Sequence, residues 1–162
     1  MSIFRTVSAL AAWFYLIPFP AIGAQSSSVS ADASVVAEAT GGQFKATKGS
    51  YFDKGCKEKL DYEAEVIDLN RDGQPEVFTS VHGTCMGGMT GVFLNLYIRD
   101  KTGKWRPQFG FPGMYSVLKT KNKGYPDIEI GGPGFCFPVW RWNGGQYKLH
   151  RHEYDGKPCR GR

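Results

Sequence analysis

A loop leading into a strand is the sequence feature that most constrains this fold. It offers oxygen atoms at alternate positions from five residues: Asp68, Asn70, Asp72, Gln74 and Glu76. This alternation is typical of a tight loop that turns its odd positions toward one hard cation, with the main-chain carbonyl of Gln74 as a ligand. The loop is therefore predicted to bind Ca²⁺ and to fix the turn before a strand at Glu76–Val81.

The residues of this loop allow two other interpretations. Asp and Asn side chains can accept hydrogen bonds from nearby main-chain amides, which would close the loop without a metal. An EF-hand would need an acid at position twelve, but Thr79 stands there within a run that favours a strand. The pattern Asp68–Glu76 resembles the calcium loop of FG-GAP and VCBS repeats, the integrin-α type. The resemblance implies propeller-blade-like architecture and says little about activity.

A weaker second copy of the loop and its strand follows along the chain. A shift of 51 positions lays Pro126–Ile128 on Pro75–Val77 and Cys136 on Cys85. The chain is therefore predicted to contain two related halves, although so short a match leaves coincidence open. Where the first copy has its loop oxygens, the second has Lys119, Lys121 and Lys123. Ammonium groups repel a cation, so only the first loop is a metal candidate.

The chain divides into three segments by composition. Residues 1–24 have a basic start, an apolar core and small residues before Ala24, which predicts a cleaved signal peptide. Residues 25–42 are rich in Ser and Ala and predict a flexible leader, with at most a turn or two of helix at Ala33–Ala39. Residues 43–162 then form one β-rich domain. The expected location is the periplasm or the medium, with no stable membrane insertion after cleavage.

The fold class predicted for residues 43–162 is mainly β. Short runs rich in aromatic and β-branched residues alternate with Gly and Asn turns. They indicate a mostly antiparallel meander, either barrel-like or propeller-blade-like. Eight strands are expected: Glu63–Ile67, Glu76–Val81, Val92–Arg99, Trp105–Phe109, Ser116–Lys119, Asp127–Ile130, Phe137–Trp142 and Tyr147–His152. The two longer connections, 82–91 and 131–135, should lie at the same end of the sheet.

Four cysteines in an exported chain predict two disulfides, for which three pairings exist. Because Cys85 and Cys136 match between the halves and lie at one end, the expected pairs are Cys85–Cys136 and Cys56–Cys159. No Cys-x-x-Cys motif suggests a redox or metal centre.

Three classes of function fit these features. The first is a non-enzymatic exported domain that binds another envelope protein or a glycan, as inhibitor and immunity proteins do. Its contact loop would be the connection 82–91, with His82, Met86 and Met89, because methionines give an adaptable apolar surface. The second is a structural calcium-stabilised module without separate activity. The third is a small envelope hydrolase, for which no convergent catalytic set is evident. A formal charge of +5 is too small to indicate nucleic-acid binding.

Overall fold

The computed structural model describes residues 24–160, and side chains from residue 32 onward. The predicted signal peptide lies outside the described residues apart from Ala24, at which the first helix begins. The N-terminal elements are α1 (Ala24–Ala39), β1 (Lys48–Asp53), β2 (Glu58–Ile67), β3 (Glu76–His82), α2 (Thr84–Gly87), a 3₁₀ turn (Gly88–Thr90), β4 (Val92–Arg99) and β5 (Trp105–Pro112). The C-terminal strands are β6 (Met114–Asn122), β7 (Tyr125–Gly131), β8 (Phe137–Trp142), β9 (Tyr147–Tyr154) and β10 (Lys157–Pro158).

The ten strands form two antiparallel five-stranded sheets. Sheet A has the order β1-β2-β3-β4-β5, and sheet B has the order β10-β9-β8-β7-β6. The prediction of a mainly β meander is confirmed, and the two open sheets replace the barrel-like alternative. All eight predicted strands are present, two of them with the predicted bounds, Val92–Arg99 and Phe137–Trp142.

Each half of the chain builds one sheet, as expected for two related halves. Strands β2 to β5 and β6 to β9 follow the same four-stranded path, with β1 and β10 added at opposite edges. The matching turn glycines, Gly73 and Gly124, both have left-handed φ angles, 84° and 90°. In that conformation the Cβ of any other residue would clash with its own main chain, so both turns favour glycine. At Gly113, where the chain passes between the sheets, an added Cβ would lie 2.5 Å from Ile130.

Two apolar cores arrange the molecule in three layers. The first core lies between the sheets and joins Phe78, Leu94 and Leu96 of sheet A to Ile128 and Tyr147 of sheet B. The second lies on the other face of sheet A, beneath α1. Its buried members are Val36, Ala39, Phe44, Leu60, Tyr62, Val77 and Val81.

The prediction of a flexible leader at residues 25–42 is wrong for the part whose side chains are described. Val36 is fully buried and Ala39 nearly so, both against β2 and β3. The helix leads into Phe44, whose ring stacks on Tyr62 with the centroids 4.0 Å apart. A few apolar residues on one side of a Ser- and Ala-rich helix are therefore enough to cover the outer face of sheet A.

The predicted disulfide pairs are also wrong. Cys56 joins Cys85, and Cys136 joins Cys159, with Cα separations of 5.8 and 5.7 Å. Each matched cysteine pairs within its own half, because each meander brings its own partner to the distance a disulfide requires. The two bridges join residues that are 29 and 23 positions apart in the sequence. On the chain-entropy model, each contributes about 3 to 4 kcal/mol to the free energy of unfolding.

Candidate functional site

The Asp68 loop is closed by hydrogen bonds between its own side chains and main-chain amides. Asp68 accepts from the amides of Asp72 and Gly73 at 3.1 and 2.9 Å. Asp72 in turn accepts from the amide of Gln74 at 2.8 Å and from the side-chain nitrogen of Asn70 at 2.8 Å. This is the arrangement of nested Asx turns.

Glu76 turns its carboxylate into the protein, toward the sheet B side. One oxygen accepts from the Leu69 amide at 2.7 Å, and the other accepts from the Tyr125 hydroxyl at 2.8 Å. Only 2 % of the residue is exposed. Burial raises the pKa of the Glu76 carboxyl, and the nearby charges of Asp72 and Asp68 raise it further, against the opposing effect of the two hydrogen bonds. Glu76 thereby ties the loop to the start of β7.

The loop as it stands is a hydrogen-bonded turn and not an assembled cation cage. Among the described residues, the one group of three or more acid, His or Cys side chains with ligand atoms within 4.8 Å of one another is Cys56, Glu58 and Cys85. The three carboxylates of the Asp68 loop do not gather in this way, and the oxygens of Glu76 are occupied elsewhere. Calcium binding there stays a prediction.

In the second half of the chain, the acidic residue that matches Glu76 is the centre of a buried ion network. Asp127, which matches Glu76, is fully buried. It accepts two hydrogen bonds from Arg141 at 2.9 and 2.7 Å, one from Arg151 at 3.0 Å, and one from Thr120 at 2.6 Å. Burial alone would raise the pKa of the Asp127 carboxyl, but these donors outweigh burial and hold it well below its usual range. The network crosses β6, β7, β8 and β9 on the outer face of sheet B.

The predicted lysine row lies along β6, an edge strand of sheet B. Lys119 and Lys121 are exposed, as expected for residues that discourage pairing between sheet edges. Lys123 donates to the main-chain oxygen of Asn143 at 2.7 Å, bridging two neighbouring turns.

A cavity of about 440 Å³ opens between the Asp68 loop and the turn that joins β4 to β5. Its lining carries both signs of charge, including Asp72 and Glu76 on one side and Arg99 and Lys101 on the other. That mixture favours no single class of ligand.

The two longer connections lie at the opposite end of the sheets, as predicted, and this end also holds both disulfides. The connections are in contact, since a Cβ on Gly132 would lie 2.9 Å from Thr90. We call this region, formed by residues 83–91 and 132–136 with the adjoining strand ends, the disulfide end.

Four large apolar side chains are mostly exposed at the disulfide end. Their exposed fractions are 65 % for Phe52, 91 % for Met89, 59 % for Met114 and 72 % for Phe135. Tyr154 lies beside Phe135, with the two ring centroids 6.3 Å apart. Sequence reasoning selected Met89 and missed the other three exposed residues. Met114 and Phe135 each follow a glycine, which was a weak signal, because such places are also typical of ordinary turns.

The three residues predicted for the contact loop have different surroundings. Met89 projects into solvent. Met86 packs against the core beneath α1 and lies 3.5 Å from the Tyr51 hydroxyl through its sulfur. His82 is the exposed last residue of β3 and lines a different surface.

The His82 surface bears on the hydrolase hypothesis. A cavity of about 540 Å³ is lined by His82, Asp61, Glu63 and Ser50. Strand register places Asp61 between Ser50 and His82. A nucleophile, base and acid relay needs the histidine in the middle, so this row does not provide one.

No protein-family model matches the chain, and no curated protein or solved structure gives a significant match to it. The resemblance to FG-GAP repeats therefore stays a prediction based on the Asp68 loop. Within residues 24–160, no helix has the length and apolar character needed to cross a membrane.

Proposed function

We propose that this protein is an exported, non-enzymatic binding domain whose disulfide end contacts another protein of the cell envelope. The observation that carries the proposal is the group of exposed apolar side chains there: Phe52, Met89, Met114 and Phe135. Single exposed apolar residues are ordinary on protein surfaces, but several at one end of a small domain are typical of an interaction site.

The connection that carries Met89 is held in place, which favours binding. Cys85 is joined to Cys56, and Gly87 packs so closely on the Val92 main chain that a Cβ there has no room. The Thr90 hydroxyl donates to the main-chain oxygen of Gly87 or of Val92. A side chain presented on a fixed loop loses little entropy on binding. A protruding fixed loop is also the means by which inhibitor domains enter a partner's cleft, although this is analogy of architecture.

The chemistry of the exposed group favours a protein over a glycan. Phe and Met are enriched at the cores of protein interfaces, and the methionine thioether adapts to varied apolar surfaces. Glycan sites instead combine an aromatic face with convergent polar groups. Two disulfides support an oxidising location, since such bonds are rare in reducing compartments.

Site-specific photo-crosslinking in the envelope tests this proposal. A photoreactive residue replaces Met89 or Phe135 in turn, and a control chain carries it at Lys101, an exposed residue of the turn at the other end of the sheets. We expect the same protein adduct from positions 89 and 135 and none from 101. Equal adducts from all three positions would overturn the proposed site. A glycan adduct would change the partner class, and no adduct would favour the purely structural module.

A further inference from the structure

Four strands lie at the edges of the two sheets: β1 and β5 in sheet A, and β10 and β6 in sheet B. An edge strand has unpaired main-chain groups and can pair with another chain unless its sequence or shape prevents this. In β5, Pro107 and Pro112 lack the donor that a ladder requires. Strand β10 has only two residues, one of them Pro158. In β6, exposed lysines and a register irregularity between Val117 and Lys121 oppose pairing.

Strand β1 has none of these protections. Its six residues, Lys48–Asp53, include no proline and pair with β2 in an unbroken register. The charged residues of β1 are confined to its two ends. Within residues 24–160, no strand lies on the other side of β1, and α1 packs on β2, β3 and β5. This edge of sheet A is therefore open to pairing.

The main-chain groups that β1 leaves free follow from its pairing with β2. The Thr47 carbonyl accepts from the Ala64 amide at 2.7 Å, so these two residues form a hydrogen-bonded pair that continues the register. Hydrogen-bonded and non-hydrogen-bonded pairs alternate along an antiparallel ladder. Gly49 and Tyr51 therefore turn their main-chain groups toward β2. The residues whose N–H and C=O groups point to the open edge are Lys48, Ser50 and Phe52.

We infer that β1 pairs with β1 of a second copy of this chain, antiparallel and centred on Ser50, to form a two-fold symmetric dimer. In such a dimer both copies contribute the same surface, and residues of the same sheet face lie opposite each other. Ser50 then lies opposite Ser50 of the partner subunit, and Lys48 lies opposite Phe52 of the partner subunit. Every free main-chain group of β1 has a partner, because three hydrogen-bonded pairs supply two bonds each. A dimer centred on Tyr51 would instead leave Lys48 beyond the end of the other strand.

The side chains suit this register on both faces of the sheet. On the face toward sheet B, Lys48 lies opposite the ring of Phe52 of the partner subunit, a favourable pairing of ammonium and aromatic groups. The Phe52 side chain is 65 % exposed in the single chain, so the dimer covers apolar surface. On the α1 face, Gly49 lies opposite Tyr51 of the partner subunit and has no side chain to obstruct that ring. No like charges lie opposite each other within the paired strands.

The dimer and the envelope partner use largely different surfaces. Of the exposed apolar group at the disulfide end, only Phe52 lies in β1, whereas Met89, Met114 and Phe135 lie outside it. One strand from each copy makes a small interface, in the class below about 1,200 Å², so a weak dimer is expected. The inference does not depend on the envelope partner, and either proposal can fail without the other.

Analytical ultracentrifugation of the oxidised protein tests for the dimer, at concentrations up to about 1 mM because a small interface gives a weak complex. We expect a reversible equilibrium between monomer and dimer. Ser50→Pro removes the central outward N–H of each copy and keeps the ladder between β1 and β2, since edge strands accept proline where the N–H faces solvent. Loss of the two central hydrogen bonds should weaken the dimer about tenfold or more. The control, Ser50→Ala, keeps the N–H and should dimerise as the parent does.

The register is tested by NMR on a dimer formed from one isotope-labelled and one unlabelled copy. Gly49 and Tyr51 of the partner subunit form a non-hydrogen-bonded pair, in which the Cα atoms are about 4.5 Å apart. We therefore expect a nuclear Overhauser effect between their Hα protons across the two copies. This measurement uses the parent protein, so it decides the question even if circular dichroism shows that Ser50→Pro is unfolded.

Three results would overturn the inference. The first is a protein that remains monomeric at about 1 mM, a concentration that suffices for a weak complex. The second is a dimer without the contact between Gly49 and Tyr51 of the partner subunit. The third is a folded Ser50→Pro protein that dimerises as strongly as Ser50→Ala.

Discussion

The ion network around Asp127 gives the sharpest prediction about stability. In Asp127→Asn the shape and one oxygen are retained, but the charge that holds Arg141 and Arg151 is lost. Removing one partner of a buried pair costs about 3 to 5 kcal/mol. Both arginine side chains are a quarter to a third exposed and regain water, so we expect the lower end, about 3 kcal/mol. At roughly 4 °C per kcal/mol for a domain of this size, the melting temperature falls by about 12 °C.

Urea unfolding of the oxidised protein at pH 7 measures this loss. The control is Glu63→Gln, which removes an exposed pair with Lys48 and should leave the urea midpoint almost unchanged. Because the folded-state pKa of Asp127 is lowered, its contribution is complete above the unfolded-state pKa of about 3.9 and is lost as pH falls below it. The difference between parent and Asp127→Asn should therefore shrink in acid. A loss below about 1 kcal/mol at pH 7 would refute this account of the network.

Three further changes test other parts of the structure. Val36→Asp places a charge in the core beneath α1 and should destabilise the protein by about 3 kcal/mol or more; an unchanged urea midpoint would restore the flexible leader. Excess calcium at ~5 mM, compared with EDTA, should raise the melting temperature if the Asp68 loop binds Ca²⁺, and Asp68→Ala should abolish that rise; no rise in the parent leaves the loop a hydrogen-bonded turn. The folded-state pKa of Glu76 is raised, so its favourable contribution is present in acid and lost as pH rises through that pKa. The stability of the parent relative to Glu76→Gln should therefore fall between pH 4 and pH 7, and a relative rise over that range would contradict the assigned burial effect.

Most of the sheet architecture could be predicted from the sequence, because strand composition and turn residues are local signals. Val92–Arg99 is bounded by glycine on one side and an Asp-Lys-Thr-Gly turn on the other, and its bounds were predicted without error. Strand β1, Lys48–Asp53, was missed because its Lys, Gly, Ser and Asp residues weaken the alternation, and its pairing with β2 is a tertiary effect. Likewise, the sequence around Val36 has no local signal that this Ser- and Ala-rich helix packs on the outer face of sheet A.

The candidate sites were harder to predict because they depend on which elements meet. Matching positions suggested that Cys85 and Cys136 pair, but each meander closes on itself and supplies a nearer partner. Glu76 fits a ligand position by spacing, yet one of its carboxylate oxygens accepts a hydrogen bond from the Tyr125 hydroxyl of the other half. Phe135 is a candidate because its connection contacts the one that carries Met89, and that contact between distant segments has no local signal in the sequence.

The central claim, binding at the disulfide end, is most directly tested by NMR of methyl-labelled methionines. The chain has four methionines, of which Met89 and Met114 are exposed at that end and Met86 is partly buried against the core beneath α1. On addition of the protein cross-linked from position 89, we expect the Met89 and Met114 methyl signals to shift or broaden, with a smaller change for Met86. Binding of that protein with both the Met89 and Met114 signals unchanged would contradict the account.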